Sequence, residues 1–281
     1  MSSRVAIPVD ADALASEEKS QFYRRVLETL TATGIDFLVG GAYAFTRYTQ
    51  IDRKTKDFDL FVRAADVDPA LAALEKTLGC RAEFTFRHWL GKAYCGRDFV
   101  DIIFSSGNGV ATVDDIWFRY AVDHAVLGVP VRIIPPEELL WSKAFIMERE
   151  RYDGADVIHI IHALAEKLDW ERLLRRFGAY WRVLLSNMVL FGFVYPGERT
   201  RIPNWAMLEL LNRLNRDLDH DSAVGKLCQG TIMSREQFLV DVERWGYADG
   251  RVERGEMTAE EVADWTAAIE KSKQGRRATD P

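Results

Sequence analysis

Apolar residues recur at two different periods along the chain, and the change from one to the other divides it. Phe22, Val26, Leu27 and Leu30 stand at helical spacing and predict an amphipathic helix over residues 17–33 that ends near Gly34. The apolar run Ile35 to Val39 predicts a strand, after which Gly40-Gly41 opens a short helix carrying Tyr43, Ala44 and Arg47. A polar loop, Gln50 to Lys56, leads to a second strand that begins Asp57-Phe-Asp-Leu-Phe61. Val67, Leu71, Leu74 and Leu78 predict a helix over 66–78. Ala82 to Trp89 and Lys92 to Tyr94 read as strands about a turn at Gly91, and Phe99-Val-Asp-Ile-Ile-Phe104 reads as a buried strand interrupted by one charge. A short helix over 113–120 follows, then a pair of strands, His124 to Leu127 and Pro130 to Ile134, about Gly128-Val129.

From Pro135-Pro136 onward the period moves from two to near four. Helices are predicted over 136–149, 154–167, 170–193 and 204–217, with capping boxes at Ser234/Gln237 and Thr258/Glu261 marking two later starts. The tail from Ser272 to Pro281 is polar and expected to fray. The fold class is therefore α+β: an N-terminal mixed β-sheet domain with flanking helices, residues 1–135, followed by a mostly α-helical domain, residues 136–281.

Composition narrows the partners. A hydrophobic content of 48% supports a real core, and a formal net charge of −6 argues against broad, non-specific nucleic-acid binding. Positive charge does gather locally at Arg47, Arg53, Lys54 and Lys56, and again at Arg149 and Arg151. Cys80, Cys95 and Cys228 are scattered without C-x-x-C spacing, which predicts neither a disulfide framework nor a zinc site. With no apolar core for a signal peptide and no apolar run of membrane-spanning length, a reducing, cytoplasmic location and no membrane partner are expected.

Two carboxylates stand out. Side chains alternate along a strand, so Asp57 and Asp59 share one face while Phe58, Leu60 and Val62 line the other. Desolvated like charges cost several kcal/mol unless paired. A divalent cation is the natural partner, since magnesium takes carboxylate and phosphate oxygens together and a pair of ions can clamp a displacement at phosphorus. Gly40-Gly41 fits the same chemistry, because backbone without Cβ atoms approaches a phosphate closely and a helix begun there aims N–H groups at it. Asp101, a lone acid in an apolar strand, must be paired, for instance with Arg97 or Arg132, protonated, or bound to metal as a third ligand. Asp153 and Asp156 suit the first turn of a helix, and His159 and His162 lack a third strong ligand. The chemistry suggested is phosphoryl or nucleotidyl transfer.

In that order, Gly40-Gly41, Asp57-Phe-Asp59 and Asp101 resemble the nucleotidyltransferase superfamily that includes DNA polymerase beta. Arg53-Lys-Thr-Lys-Asp-Phe-Asp59, Pro136-Glu-Glu-Leu-Leu-Trp-Ser-Lys143 and Asp153-Gly-Ala-Asp156 are similar to bacterial members related to the abortive-infection, type IV toxin group. The resemblance covers roughly residues 35–160. It implies an enzyme that moves an NMP from an NTP such as ATP to a hydroxyl acceptor, an RNA end, a protein or a small molecule, with two Mg2+ ions and a possible antitoxin partner. Asp57 and Asp59 would bind the nucleotide-associated metal, and Asp101 would share the second ion and activate the acceptor hydroxyl. Gly40 and Gly41 would cradle the triphosphate, with Arg53 and Lys143 on the nucleotide. Ala42 stands where many members have a hydroxyl, and Thr55 is placed to supply one instead. The alternative is a non-catalytic nucleotide-binding or interaction module with the same fold.

Overall fold

A computed structural model describes residues 16–53, 55, 57–218 and 225–277. It resolves into two compact units: the described residues up to Thr85 with Leu90–Phe104 and Val113–Leu139, and Phe86–Trp89 with Ser105–Thr112 and the described residues from Leu140 onward.

The first unit starts where Ser16 caps helix α1 (Glu17–Thr33), which ends on Gly34 at φ +73°. Tyr23, Val26, Leu27 and Leu30 form its fully buried stripe. Burying an aliphatic side chain contributes about 1.5–3 kcal/mol, so this stripe outweighs the marginal intrinsic stability of a short helix. In chain order there follow β1 (Leu38–Val39), α2 (Gly41–Thr49), β2 (Asp59–Phe61), α3 (Val67–Leu78), β3 (Arg81–Phe86), β4 (Leu90–Cys95), β5 (Asp98–Ile103), α4 (Asp115–Arg119), β6 (Val122–Val126), β7 (Val129–Ile133) and α5 (Pro136–Ala144). The strands make one mixed sheet in the order β3-β4-β5-β2-β1-β7-β6. β1 runs antiparallel to β2 and parallel to β7, and β2 runs parallel to β5. Leu38, Val39, Leu60, Val100, Ile102 and Ile133 are fully buried, which explains why the central strands read as apolar runs and not as alternation.

Three details differ from the sequence-based expectation. The turn between β3 and β4 lies at Arg87–Trp89, closed by the Trp89 N–H on Phe86 O at 3.2 Å. Gly91 instead sits inside β4 opposite Ile102, where a Cβ would stand 3.0 Å from Leu71 Cδ1, so this glycine admits the close approach of α3. Asp57 precedes β2, whose first residue is Asp59. Cys80, just after α3, and Cys95, at the end of β4, are joined by a disulfide with their Cα atoms 4.5 Å apart, whereas no disulfide was expected. Cysteine usage therefore no longer argues for a reducing compartment.

The second unit continues through α6 (Gly154–Leu164), α7 (Trp170–Phe177), α8 (Trp181–Val194), α9 (Asn204–Leu218), β8 (Leu227–Cys228), α10 (Gly230–Met233), α11 (Leu239–Glu243), β9 (Ala248–Asp249), α12 (Gly250–Glu253) and α13 (Ala259–Arg277). The single helix expected over 170–193 is broken by a 3-10 turn at Gly178–Tyr180, with Gly178 at φ +46°. By length and composition Trp170–Val194 suffices to cross a membrane, contrary to the expectation that no run reaches that length. A core helix passes the same test, and Trp181, Leu184, Leu185, Met188 and Phe191 are buried here. The Thr258/Glu261 capping box forms reciprocally, with backbone N–H bonds of 2.7 and 3.2 Å. Ser234 does accept the Gln237 N–H at 3.1 Å, but residues 235–238 form a turn and α11 begins only at Leu239. Helix α13 runs on to Arg277, through the start of the tail expected to fray.

Candidate active site

The site is built where β1 hands over to α2. Gly40 follows β1 and donates its N–H to Asp59 O at 2.9 Å. Gly41 opens α2 at φ +54°, and a Cβ there would stand 1.7 Å from Asp59 Oδ2. A Cβ on Gly40 would stand 2.2 Å from Phe61 Cε2. Gly40 is thus required by the ring against it and Gly41 by its positive φ, and the space a side chain would fill at Gly41 is taken by a carboxylate. The unsatisfied N–H groups and positive dipole end of a helix start favour negative charge at that point.

Phe58 orients the acids. It is fully buried, stacked on Tyr23 at 4.3 Å between ring centroids and met edge-on by Tyr43 at 5.1 Å. Phe58 and Leu60 are fully buried, whereas Asp57, just ahead of β2, is exposed and Asp59 is half-buried. Thr55 Oγ fixes the approach, accepting the Asp57 N–H at 3.1 Å and donating to Asp57 O at 2.9 Å. The Arg53 guanidinium lies 5.8 Å from the Phe45 ring centroid, while Lys54 and Lys56 lie outside the described residues.

Asp101 arrives through the parallel pairing of β2 and β5, in which Asp59 and Asp101 are direct register partners. Its N–H donates to Phe58 O at 2.9 Å, and the residue is buried. Neighbouring strands lie about 4.8 Å apart, so the register alone makes Asp59 and Asp101 close neighbours. Its cationic partner is neither Arg97 nor Arg132: Lys92 Nζ stands 2.5 Å from Asp101 Oδ1, and Arg132 pairs with Asp36 at 2.9 Å. Burial pushes the Asp101 carboxyl above its usual range, with Lys92 opposing the shift and the Asp57 charge adding to it. Burial likewise raises the Tyr23 phenol, helped by Tyr43, Asp98, Asp57 and Asp59, so a neutral hydroxyl borders the acids.

Lys143, at the end of α5, belongs to the second unit. Its Nζ lies 2.8 Å from Asp153 Oδ2 and 2.7 Å from Asp156 Oδ2. Asp153 makes no side-chain cap on α6, although a capping role was expected. Burial tends to raise its carboxyl, yet Arg151 and Lys143 hold it at about 2. His162 Nε2 lies 3.3 Å from Glu198 Oε2.

Among the described residues no group of three or more His, Cys, Asp and Glu side chains is arranged to hold a metal ion. Asp57 and Asp59 offer the hard carboxylate oxygens that magnesium takes, beside a helix start suited to phosphate. Asp101 offers the same chemistry but is already in contact with the Lys92 ammonium. Asp57 and Asp59 thus have the donors that a divalent cation takes, whereas the Asp101 carboxylate is already engaged by an ammonium.

The chain matches no protein-family profile and no curated protein. Among solved structures it is similar to the antibiotic-resistance factor ANT(2'')-Ia, at 14% identity over 61% of this chain and 96% of that one, with a TM-score of 0.44. An antigenic nucleotidyltransferase-like protein from Paracoccidioides brasiliensis aligns at 15% identity over 66% of this chain and 93% of that one, with a TM-score of 0.43. The lincomycin-bound lincosamide antibiotic adenylyltransferase LnuA aligns at 15% identity over 52% of this chain and 96% of that one, with a TM-score of 0.37. Likenesses of this size assign no chemistry to the chain, which rests on its own residues.

Proposed function

We propose that the chain is a metal-dependent nucleotidyltransferase that moves an NMP from an NTP to a hydroxyl acceptor and releases pyrophosphate. One observation carries this reading: the Asp59 carboxylate occupies the side-chain space of Gly41 at the first turn of α2, placing an anion for a cation directly against a backbone suited to phosphate. The order Gly40-Gly41, Asp57-Phe-Asp59 and Asp101, with Asp101 in register with Asp59, supports it.

Asp57 and Asp59 would hold a divalent cation, which when bound neutralises phosphate charge. Gly40, Gly41 and the start of α2 bind the phosphates through the backbone. The acceptor oxygen forms a bond to the α-phosphorus as the bond from that phosphorus to the bridging oxygen of the β-phosphate breaks. Pyrophosphate leaves with the electron pair, and the hydroxyl proton passes to the Asp101 carboxylate. A carboxyl raised by burial suits a proton acceptor. Thr55 serves the same end by holding Asp57 through its backbone.

The test is incubation with Mg2+ and each α-labelled NTP in separate arms containing tRNA, a protein extract or small hydroxyl metabolites. A double Asp57→Ala, Asp59→Ala variant runs beside the wild type. Label transfer and pyrophosphate release lost in the variant support the reading. Equal signal from both proteins rejects it, and NTP binding without release in every arm points to a non-catalytic module.

A further inference from the structure

Asp101 reaches the site with a cation already in contact. Lys92 and Asp101 face one another across β4 and β5, which pair residue by residue from Leu90↔Ile103 to Cys95↔Asp98. Backbone register therefore places the ammonium, and a loose surface contact does not. Nζ lies 2.5 Å from Asp101 Oδ1, the two side chains are only 17% and 12% exposed, and the Phe99 ring centroid lies 4.3 Å from the same Nζ. A divalent ion on Asp101 Oδ1, at the metal–oxygen distance of about 2.0–2.1 Å that magnesium takes, would stand hard against this ammonium, and one on the other oxygen would share a single negative charge with it. Two positive centres on one poorly solvated carboxylate repel strongly.

We propose that the Lys92 ammonium stands in for a second divalent cation, so that the site loads one ion, at Asp57 and Asp59, and not two. This rests on the nucleotidyltransferase reading and deepens it. The two-ion expectation fails because a lysine occupies the third carboxylate. Lys92 is a positioning residue: it neutralises Asp101 and fixes its orientation toward the acceptor side, while β5 holds the backbone. A lysine costs the site no coordination shell to assemble and keeps its charge when the nucleotide departs.

The experiment counts Mn2+ on the full chain by the loss of the free-ion paramagnetic resonance signal, with a non-hydrolysable NTP analogue present. Wild type is expected to take up one protein-dependent Mn2+ per chain. Asp101→Asn keeps that count, because Asp101 is not a ligand. Lys92→Arg stays at one, and Lys92→Ala, with its carboxylate uncovered, rises to two. Two ions on the wild type, a lower count in Asp101→Asn, or one ion on folded Lys92→Ala overturns the proposal. If Lys92→Ala does not fold, the wild-type and Asp101→Asn counts decide alone. No uptake by the wild type, with none lost on Asp57→Ala, overturns the nucleotidyltransferase reading itself and is thereby distinguishable from two ions.

Discussion

Substituting Gly41 by alanine separates the role of this glycine in folding from its role at the site. Gly41 and Gly34 both sit in the left-handed region, at φ +54° and +73°, so either change to alanine incurs the same backbone penalty, about 1–2 kcal/mol. For a chain of this size each kcal/mol lowers Tm by roughly 2–4 °C. The two positions differ in what the new methyl meets. At Gly34 nothing lies within 4 Å, whereas at Gly41 the Cβ would fall 1.7 Å from Asp59 Oδ2, half of an ordinary 3.4 Å contact. The atom that must move is the end of a flexible carboxylate, so stability suffers little beyond the backbone penalty. Coordination does suffer, because metal ligands tolerate displacements of only about 0.2 Å. Gly41→Ala should therefore weaken binding of Mn2+ with an NTP analogue by roughly 10–100-fold or more, the scale seen when a ligand loses its support. Gly34→Ala should bind as wild type. Calorimetric titration beside urea unfolding reads both quantities. Equal binding by the two variants at similar stability would refute the placement of Asp59 at the nucleotide.

Other perturbations probe the surrounding structure. Gly40→Ala drives a methyl into the Phe61 ring at 2.2 Å and should cost about 1–3 kcal/mol in urea unfolding, partly recovered in a Phe61→Leu background; strict additivity would contradict the contact. Asp153 is held at about 2 against an ordinary 3.8, a depressed carboxyl whose stabilisation is complete above about pH 4 and lost as pH falls toward 2. That stabilisation is roughly 2 kcal/mol, and Asp153→Asn should flatten the acid limb of stability against pH; an unchanged limb would show that the pairs with Lys143 and Arg151 do not matter. The disulfide between Cys80 and Cys95 closes a separation of 15 residues, for which the chain-entropy model gives about 3 kcal/mol. Reductant should lower the urea midpoint, and thiol titration of unfolded, unreduced protein should find Cys228 alone; titration of all three cysteines would exclude the bond.

What could be read from the chain was local. Helix α1 with its Gly34 stop, the Gly40-Gly41 opening of α2 and the burial of Phe58 between a more exposed Asp57 and Asp59 all follow from short-range chemistry. Lys92 was missed because its role depends on register. Placing the turn at Gly91 leaves Lys92 at the first residue of a strand with no defined partner, whereas a turn at Arg87–Trp89 starts β4 at Leu90 and sets Lys92 opposite Asp101. A one-residue change in pairing would send that ammonium to the other face. The disulfide had no spacing signal, since Cys80 and Cys95 meet only through the pairing of β3 with β4. The break between α7 and α8 rests on a single glycine, Gly178, within a run whose apolar content otherwise reads as continuous helix.

The most direct measurement is an anomalous difference map from crystals grown with Mn2+ and a non-hydrolysable NTP analogue. The account predicts one Mn2+ peak bound by the Asp57 and Asp59 carboxylates, with phosphates lying on the Gly40-Gly41 backbone and Lys92 still on Asp101. A peak bridged by Asp101 in place of Lys92, or nucleotide bound elsewhere with no peak at Asp57 and Asp59, would contradict it.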